Sequence, residues 1–361
     1  MAFTTIAKPS DHHDVVFWGG SNSTTTVSSM GFKPDLIWIK RFDGNGHPVL
    51  NDSSKGIGFN WIPSGNNAND TTNYVASYTS DGFTLTGNEN NSNDASQYYM
   101  ASCWKANGGT TSSNSDGSIT STVQADTNSG CSIVTYTGGG ANATVGHGLG
   151  VAPKFIFIKN TAIADRGITY MGSTNFVSDP ETDTIQFAIN GGTLQDDANK
   201  FNDTATTSSV FSIGSSNMVS GSGEAHVAYC FAEVQGFSKF GFYEGQGTAK
   251  GAFVYCGFRP SYIMIKKTGS AENWFCKVPH INSSGVLGSY SSTYGLGSLL
   301  KRTIKYDDNT SSTNCSVTIT STGFRATTTD AKANGENEQY LYIAFAEHPM
   351  VGTNGTVGLA I

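Results

Sequence analysis

The sequence predicts an all-β chain of three tandem antiparallel β-sandwich-like modules. Three observations predict it. One ten-residue phrase occurs three times, as "GFKPDLIWIK" at 31–40, "GVAPKFIFIK" at 150–159 and "GFRPSYIMIK" at 257–266. Short apolar runs are separated by Thr, Ser, Asn and many of the 43 glycines, and only 14% of residues are charged. No long stretch carries the 3.6-residue apolar period of a helix. Gly and Asn supply positive φ at turns, and Thr fits a pleated surface.

The repeat has four anchors in fixed order. The first is an aromatic two residues before a glycine: Trp18 and Gly20, Tyr136 and Gly138, Tyr243 and Gly245. The second is the phrase itself, which begins 11, 12 and 12 positions after those glycines. The third is Phe83, Phe211 or Phe324, each after a polar turn. The fourth is an apolar run, "YYMASCW", "HVAYCF" or "LYIAF", ending at Trp104, Phe231 and Phe345, which lie 21, 20 and 21 positions beyond the third anchor. Between the second and third anchors the spacing varies (43, 52 and 58), as expected for surface loops on a constant scaffold.

Within the phrase, Pro34, Pro153 and Pro260 suit a strand entrance, where a missing N–H costs no ladder bond. Leu36 to Ile39, Phe155 to Ile158 and Tyr262 to Ile265 are continuous apolar runs, which fit strands covered on both faces. The closing Lys40, Lys159 and Lys266 are expected to return the chain to solvent. The fourth anchor reads as a second central strand. Six or more short strands per module suit an antiparallel sandwich, with a flattened barrel as the alternative. A propeller would need more copies of about 45 residues each.

The expected organisation is an extended N-terminal arm at 1–12, module 1 at 13–106, a linker at 107–130 with a strand-like stretch at Ser118 to Val123, module 2 at 131–235 and module 3 at 236–361. The second and third modules abut through "EVQGFSKFGFY" and are expected to be rigidly joined.

A net charge of −7 and scattered basic residues argue against nucleic acid, whose phosphates need clustered Lys and Arg. No apolar run approaches a membrane span, and "MAFTTIAKPSDHHD" has no apolar signal core. The expectation is therefore no membrane insertion and synthesis in a cytoplasm without export by the usual route. The six cysteines show no zinc spacing and are expected to be free thiols.

No catalytic residue, cofactor or metal is expected. None of the seven histidines recurs in all three copies; His12 and His13 are adjacent and point apart on an extended chain, and His147 reads as a turn residue. Glu233 and Glu347 close strands in different copies, so they do not form the carboxylate pair of a glycosidase. "GGGANATVGHGLG" lacks the Lys-Ser/Thr of a phosphate loop and reads as a hairpin loop. The acidic, Asn-rich loops "NENNSND", "DDANKFND" and "YDDN" read as plain polar loops in preference to calcium sites. Trp61, Arg166 and Trp274 are the candidate surface contacts, within variable segments 41–80, 160–205 and 267–320.

Stretches such as "GSITSTVQADTNSGCSIVTYTGGGANATVGHGLGVAPKFIFIKN", "HVAYCFAEVQGFSKFGFYEGQG" and "FVYCGFRPSYIMIKK" resemble an uncharacterised repeat domain of marine bacteriophages, from "PDLIWIK" to "YIAFAEHP". The resemblance implies a non-enzymatic virion structural protein, a tail-fibre or receptor-binding component contacting a host surface glycan or protein. It also implies other virion proteins as partners and a homotrimer. The alternatives are a capsid decoration or head-fibre protein with purely architectural contacts and, third, a polysaccharide depolymerase.

Overall fold

Strands dominate the computed structural model, which describes residues 4–65, 67–172, 181, 183–187, 192–279, 304–305, 308 and 316–349. The first stretch holds β1 (His13–Gly19), β2 (Thr25–Val27), β3 (Leu36–Arg41), β4 (Val49–Asp52), β5 (Asn60–Trp61), β6 (Val75–Thr79), β7 (Gly82–Leu85) and β8 (Tyr98–Trp104). The second holds β9 (Ser112–Asn114), β10 (Ser121–Asp126), β11 (Cys131–Thr137), β12 (Ala143–Gly146), β13 (Phe155–Asn160), β14 (Gly167–Met171), β15 (Asp183–Phe187), β16 (Gln195–Asp196), β17 (Val210–Ile213) and β18 (Ala225–Phe231). The third holds β19 (Ser238–Glu244), β20 (Phe253–Tyr255), β21 (Phe258–Lys267), β22 (Phe275–Lys277), β23 (Ile304–Lys305), β24 (Val317–Thr320), β25 (Gly323–Ala326) and β26 (Gln339–Pro349). One-turn helices α1 (Ala198–Phe201), α2 (Asn217–Ser220) and α3 (Ala331–Asn334) fill turns.

The protein is all-β, with antiparallel sheets of β-sandwich character. Three large sheets run β1-β8-β3-β4-β5, β16-β15-β14-β13-β18-β11-β10-β9 and β19-β26-β21-β22-β23. Three small sheets, β2-β7-β6, β12-β17 and β20-β25-β24, accompany them. The phrase strands β3, β13 and β21 each lie between a fourth-anchor strand and a hairpin partner, in matching register: Leu36 opposite Trp104, Phe155 opposite Phe231, Tyr262 opposite Phe345. Their apolar runs are buried on both faces, as the unbroken hydrophobicity requires. Pro34 and Pro153 precede their strands. Pro260 instead sits inside β21, at a register shift where the ladder does not need its N–H.

In β3 and β13 alternate residues serve two cores, whereas in β21 Ile263 and Ile265 join the same core as Tyr262 and Met264. Ile37 and Ile39 face the small sheet of their own stretch, as do Ile156 and Ile158. Leu36, Trp38, Phe155, Phe157, Tyr262 and Met264 turn the other way, into one core shared by all three large sheets. At its centre the last residues of the fourth anchors meet. Ring centroids of Trp104 and Phe231 lie 5.9 Å apart, of Trp104 and Phe345 5.7 Å, and of Phe231 and Phe345 5.8 Å. Trp38 stacks on Phe157 at 6.1 Å, and Phe155 on Phe240 at 6.4 Å. A cavity of about 20 Å³ on this axis is lined by apolar side chains and offers a water no polar partner.

Two segments expected to be loose are packed. In 107–130, β10 pairs with β11 and β9 with β10, so the segment widens the second large sheet. Gln124 on β10 donates to the hydroxyls of Ser53 and Ser54 at 2.9 and 2.8 Å and accepts from Gly109 N–H at 2.6 Å. Near the N-terminus, Ile6, Pro9 and His13 are buried. A 3₁₀ turn, Pro9–Asp11, leads into His12, whose Nδ1 lies 2.7 Å from Asp126 Oδ2 on the second sheet. His13 turns the other way and stacks on Phe345 at 4.9 Å. The segment closes one end of the shared core because it carries apolar residues between its polar ones.

Phe231→Ala opens the aromatic triangle and is expected to cost about 3–5 kcal/mol in urea unfolding. Burial holds the His13 imidazole down to about 3, whereas an unfolded histidine titrates near 6.5. Between those values the unfolded chain binds the extra proton, so stability falls as the pH drops through that window. His13→Phe is expected to reduce the loss of unfolding free energy between about pH 7 and about pH 4.

Candidate functional site

The lysines ending the three phrase strands are not at the surface. Lys40, Lys159 and Lys266 are 0%, 1% and 0% exposed, which corrects the expectation that they lead the chain into solvent. The chain after each strand curls back over the ammonium and presents main-chain carbonyls. Lys159 Nζ donates to Asn160 O at 2.5 Å and Ile163 O at 3.0 Å. Lys266 Nζ donates to Lys267 O at 2.6 Å and Ser270 O at 3.0 Å. Lys40 Nζ donates to Gly46 O at 2.6 Å and, 268 residues away, to Asp308 O at 2.7 Å. An ammonium has three donors and no acceptor, so a nest of carbonyls is its natural buried partner. Lys40 thereby ties the third stretch to the first.

The first anchor organises the same end of each large sheet, one residue further along the ladder than the lysine. Trp18 Nε1 donates to Ser92 O at 2.9 Å; Tyr136 and Tyr243 hydroxyls donate to Val219 O and Ala333 O, both at 2.7 Å. Each ring stacks on its cross-strand neighbour: Trp18 on Tyr99, Tyr136 on His226 and Tyr243 on Tyr340. Each also meets the third-anchor phenylalanine edge-on, at 5.8, 6.2 and 5.8 Å. The glycine two residues on is needed because a Cβ at Gly20, Gly138 or Gly245 would lie 2.0, 2.5 or 2.2 Å from a carbonyl oxygen. Buried Asn93 and Asn334 brace the same turn, accepting from Ser21 N–H and Gln246 N–H and donating to two carbonyls each.

A polar crevice lies where the first and second large sheets meet, lined by Asp52, Lys55, Lys159, Thr161 and Tyr229 among others. Tyr229 donates to Asp52 Oδ2 at 2.7 Å and Lys55 N–H to Asp52 Oδ1 at 2.7 Å. Burial pushes the Asp52 carboxyl up, and these two bonds offset only part of the effect. Burial also pulls the Lys55 ammonium down, opposed by Asp52, and brings Lys159 down to about 8, opposed by Asp165. The crevice, about 10 Å³, takes no more than a single water. Its groups join two sheets through a buried polar contact.

The predicted contact residues separate. Trp61 is 4% exposed and packs on Phe157 at 4.6 Å; a Cβ on Gly167 would strike its ring at 2.6 Å. Trp274 is 0% exposed and stacks on Phe187 at 4.7 Å. Both are interior residues, because the neighbouring large sheet covers them. Arg166 is half-buried, with Nη1 donating to Gln186 Oε1 at 3.2 Å. It alone of the three reaches the surface.

The remaining polar features are tied into the scaffold. Glu233 pairs with Lys239 and Glu347 with Arg259, each at 2.7 Å. His147 lies in a turn, its Nδ1 accepting from Leu149 N–H at 3.2 Å. Of the acidic loops, Asp197 caps α1 and Asp308 pairs with Lys305 at 3.0 Å. Among the described residues no group of three or more His, Cys, Asp or Glu is placed to hold a metal ion. Cys103, Cys131, Cys230 and Cys256 are free and buried, and Cys276 is buried; Cys315 lies outside the described residues. Among the described residues no helix is long and apolar enough to cross a membrane. The large apolar side chains most open to solvent include Tyr255, Phe253, Ile57 and Phe59.

Fold and contacts define a β-sandwich protein whose three large sheets share one aromatic core. Residues 8–349 match a family described as a domain of unknown function (DUF7483), and the chain belongs to that family. The matched region contains all three large sheets. No curated protein and no solved structure matches the chain.

Lys159→Met removes the donor from two buried carbonyls and is expected to cost about 1–3 kcal/mol for each. The lysine titrates near 8 when folded and near 10.4 when unfolded, so the unfolded state binds more protons between those values. Wild-type stability should therefore rise relative to Lys159→Met as the pH is taken from about 8 to about 10, read by urea midpoints.

Proposed function

We propose that the chain is three tandem β-sandwich-like modules and serves as a bacteriophage virion structural protein, a tail-fibre or receptor-binding component that contacts the host surface without catalysing a reaction. The recurrence of strand order, buried lysine and stacked aromatic pair in each third supports the modular reading. The observation that carries the functional reading is the shared core. Three sheets locked through Trp104, Phe231 and Phe345 make a stiff body, and stiffness lowers the ordering cost of presenting loops to a partner. The resemblance to phage repeat domains supplies the setting: made in a host cytoplasm, carried in the virion. Its partners there are other virion proteins, further copies in a threefold assembly and a host surface glycan or protein.

A purely architectural role, as a capsid decoration or head-fibre protein, is favoured by one feature. Ile57 and Phe59 are 48% and 45% exposed on one loop, which suits a packed contact with another virion protein. Adsorption assays separate the two. Purified protein added in excess is expected to slow adsorption of the phage that carries it by about tenfold or more, as a stable complex with the receptor requires. Unchanged adsorption, with immuno-electron microscopy labelling only the capsid, would establish the architectural role instead.

A further inference from the structure

The three small sheets provide an internal comparison. Aligned on the third-anchor phenylalanine, Thr26 of β2, Thr144 of β12 and Phe253 of β20 occupy one position, and Ser28, Gly146 and Tyr255 another. In the first sheet these positions are exposed and polar, and Thr26 bonds Thr84 across the strands at 3.2 Å. In the second, the edge of β12 is covered by the chain at 117–119: Ile119 bridges Val145, and Ile119 N–H donates to Thr144 O. In the third, β20 is an edge strand, and Phe253 and Tyr255 are 44% and 55% exposed. The scaffold accepts Thr and Ser at these places, so two aromatic rings facing water are not a requirement of the fold.

We propose that Phe253, Tyr255 and Arg325 form a binding platform for a saccharide chain. This rests on the host-contact reading above and names the ligand class and the surface. Residues i and i+2 of a strand face the same way about 7 Å apart, so two sugar rings of an oligosaccharide can lie across the two aromatic rings. The C–H face of a pyranose is apolar and stacks on an aromatic ring, while its hydroxyls need donors at the rim. Arg325 provides them: its guanidinium lies over one face of the Phe253 ring, 5.8 Å from the centroid, leaving the other face for a sugar, and is oriented by a 3.0 Å bond from Nη1 to Gly251 O. Exposed Thr318, paired with Arg325 across β24 and β25, adds a hydroxyl. The area argues for a small ligand. About half of each ring is open, on the order of 200 Å² together, well below the roughly 800 Å² each partner gives to a stable protein interface.

The test compares wild type with Phe253→Thr/Tyr255→Ser, which installs the residue types of the first sheet, on a printed panel of neutral, amino and acidic oligosaccharides. Thermal unfolding first establishes that the exposed substitutions leave the fold intact. The wild type is expected to bind at least one class, and the double variant to bind it about tenfold or more weakly. No binding by the wild type, or equal binding by the variant, overturns the proposal. So does sedimentation showing self-association of the wild type that the variant loses, which would make the surface a contact between copies. The adsorption assay keeps the two readings apart. A variant that still blocks adsorption as well as wild type removes this platform and leaves host contact standing. Wild-type glycan binding without adsorption block removes host contact and leaves the platform.

Discussion

Everything in the molecule is arranged around the contact of Trp104, Phe231 and Phe345. These rings come from positions 127 and 114 residues apart in the chain, yet their centroids stand within 5.7–5.9 Å of one another. Each lies on the strand that pairs with the phrase strand of its large sheet, so fixing the three rings fixes the three sheets. The inner face of every phrase strand follows from this, since Leu36, Phe155 and Tyr262 sit opposite these rings in the ladder. The outer faces then remain for the small sheets, which complete the sandwiches.

An apolar core alone does not explain how the strand ends stay buried. A strand that runs hydrophobic to its last residue must hide the carbonyls of the turn that follows, and such groups need donors. The lysine supplies them. Its position at the end of Leu36–Arg41, Phe155–Asn160 and within Phe258–Lys267 lets the ammonium reach into the next turn. The glycines after the first anchor do the complementary work at the same end, on the neighbouring edge of the ladder, where the backbone passes close to a carbonyl and leaves no room for a side chain.

Much of this was legible in the sequence and some was not. Unbroken apolar runs announce strands covered on both faces, and constant anchor spacing announces a constant strand order. The fate of the lysines was hidden because Lys after an apolar run normally marks an exit to water; only the curl of the following four to six residues, with Asp308 added at Lys40, reverses that. Trp61 and Trp274 read as spare aromatics because the sheet that covers each is distant in sequence: Phe157 for one, Phe187 for the other. Segment 107–130 read as a connector from its Gly and Ser content, although Ser121–Asp126 places Val123 in the core beside Val134 of β11. The open rings of β20 did leave a trace. "FVY" stands where the first copy has "TVS", and setting the copies side by side at that position exposes the difference.

Three-way packing within one chain has a consequence for how such a molecule changes over time. A ring of identical subunits must alter all of its faces at once, since one gene encodes them all. Here each face is encoded separately while the hub is held in common. One face can gain aromatics, a second can be roofed by its own chain and a third can stay plain, with no disturbance to the hub. The shared core is therefore a support on which the three small sheets carry different surfaces.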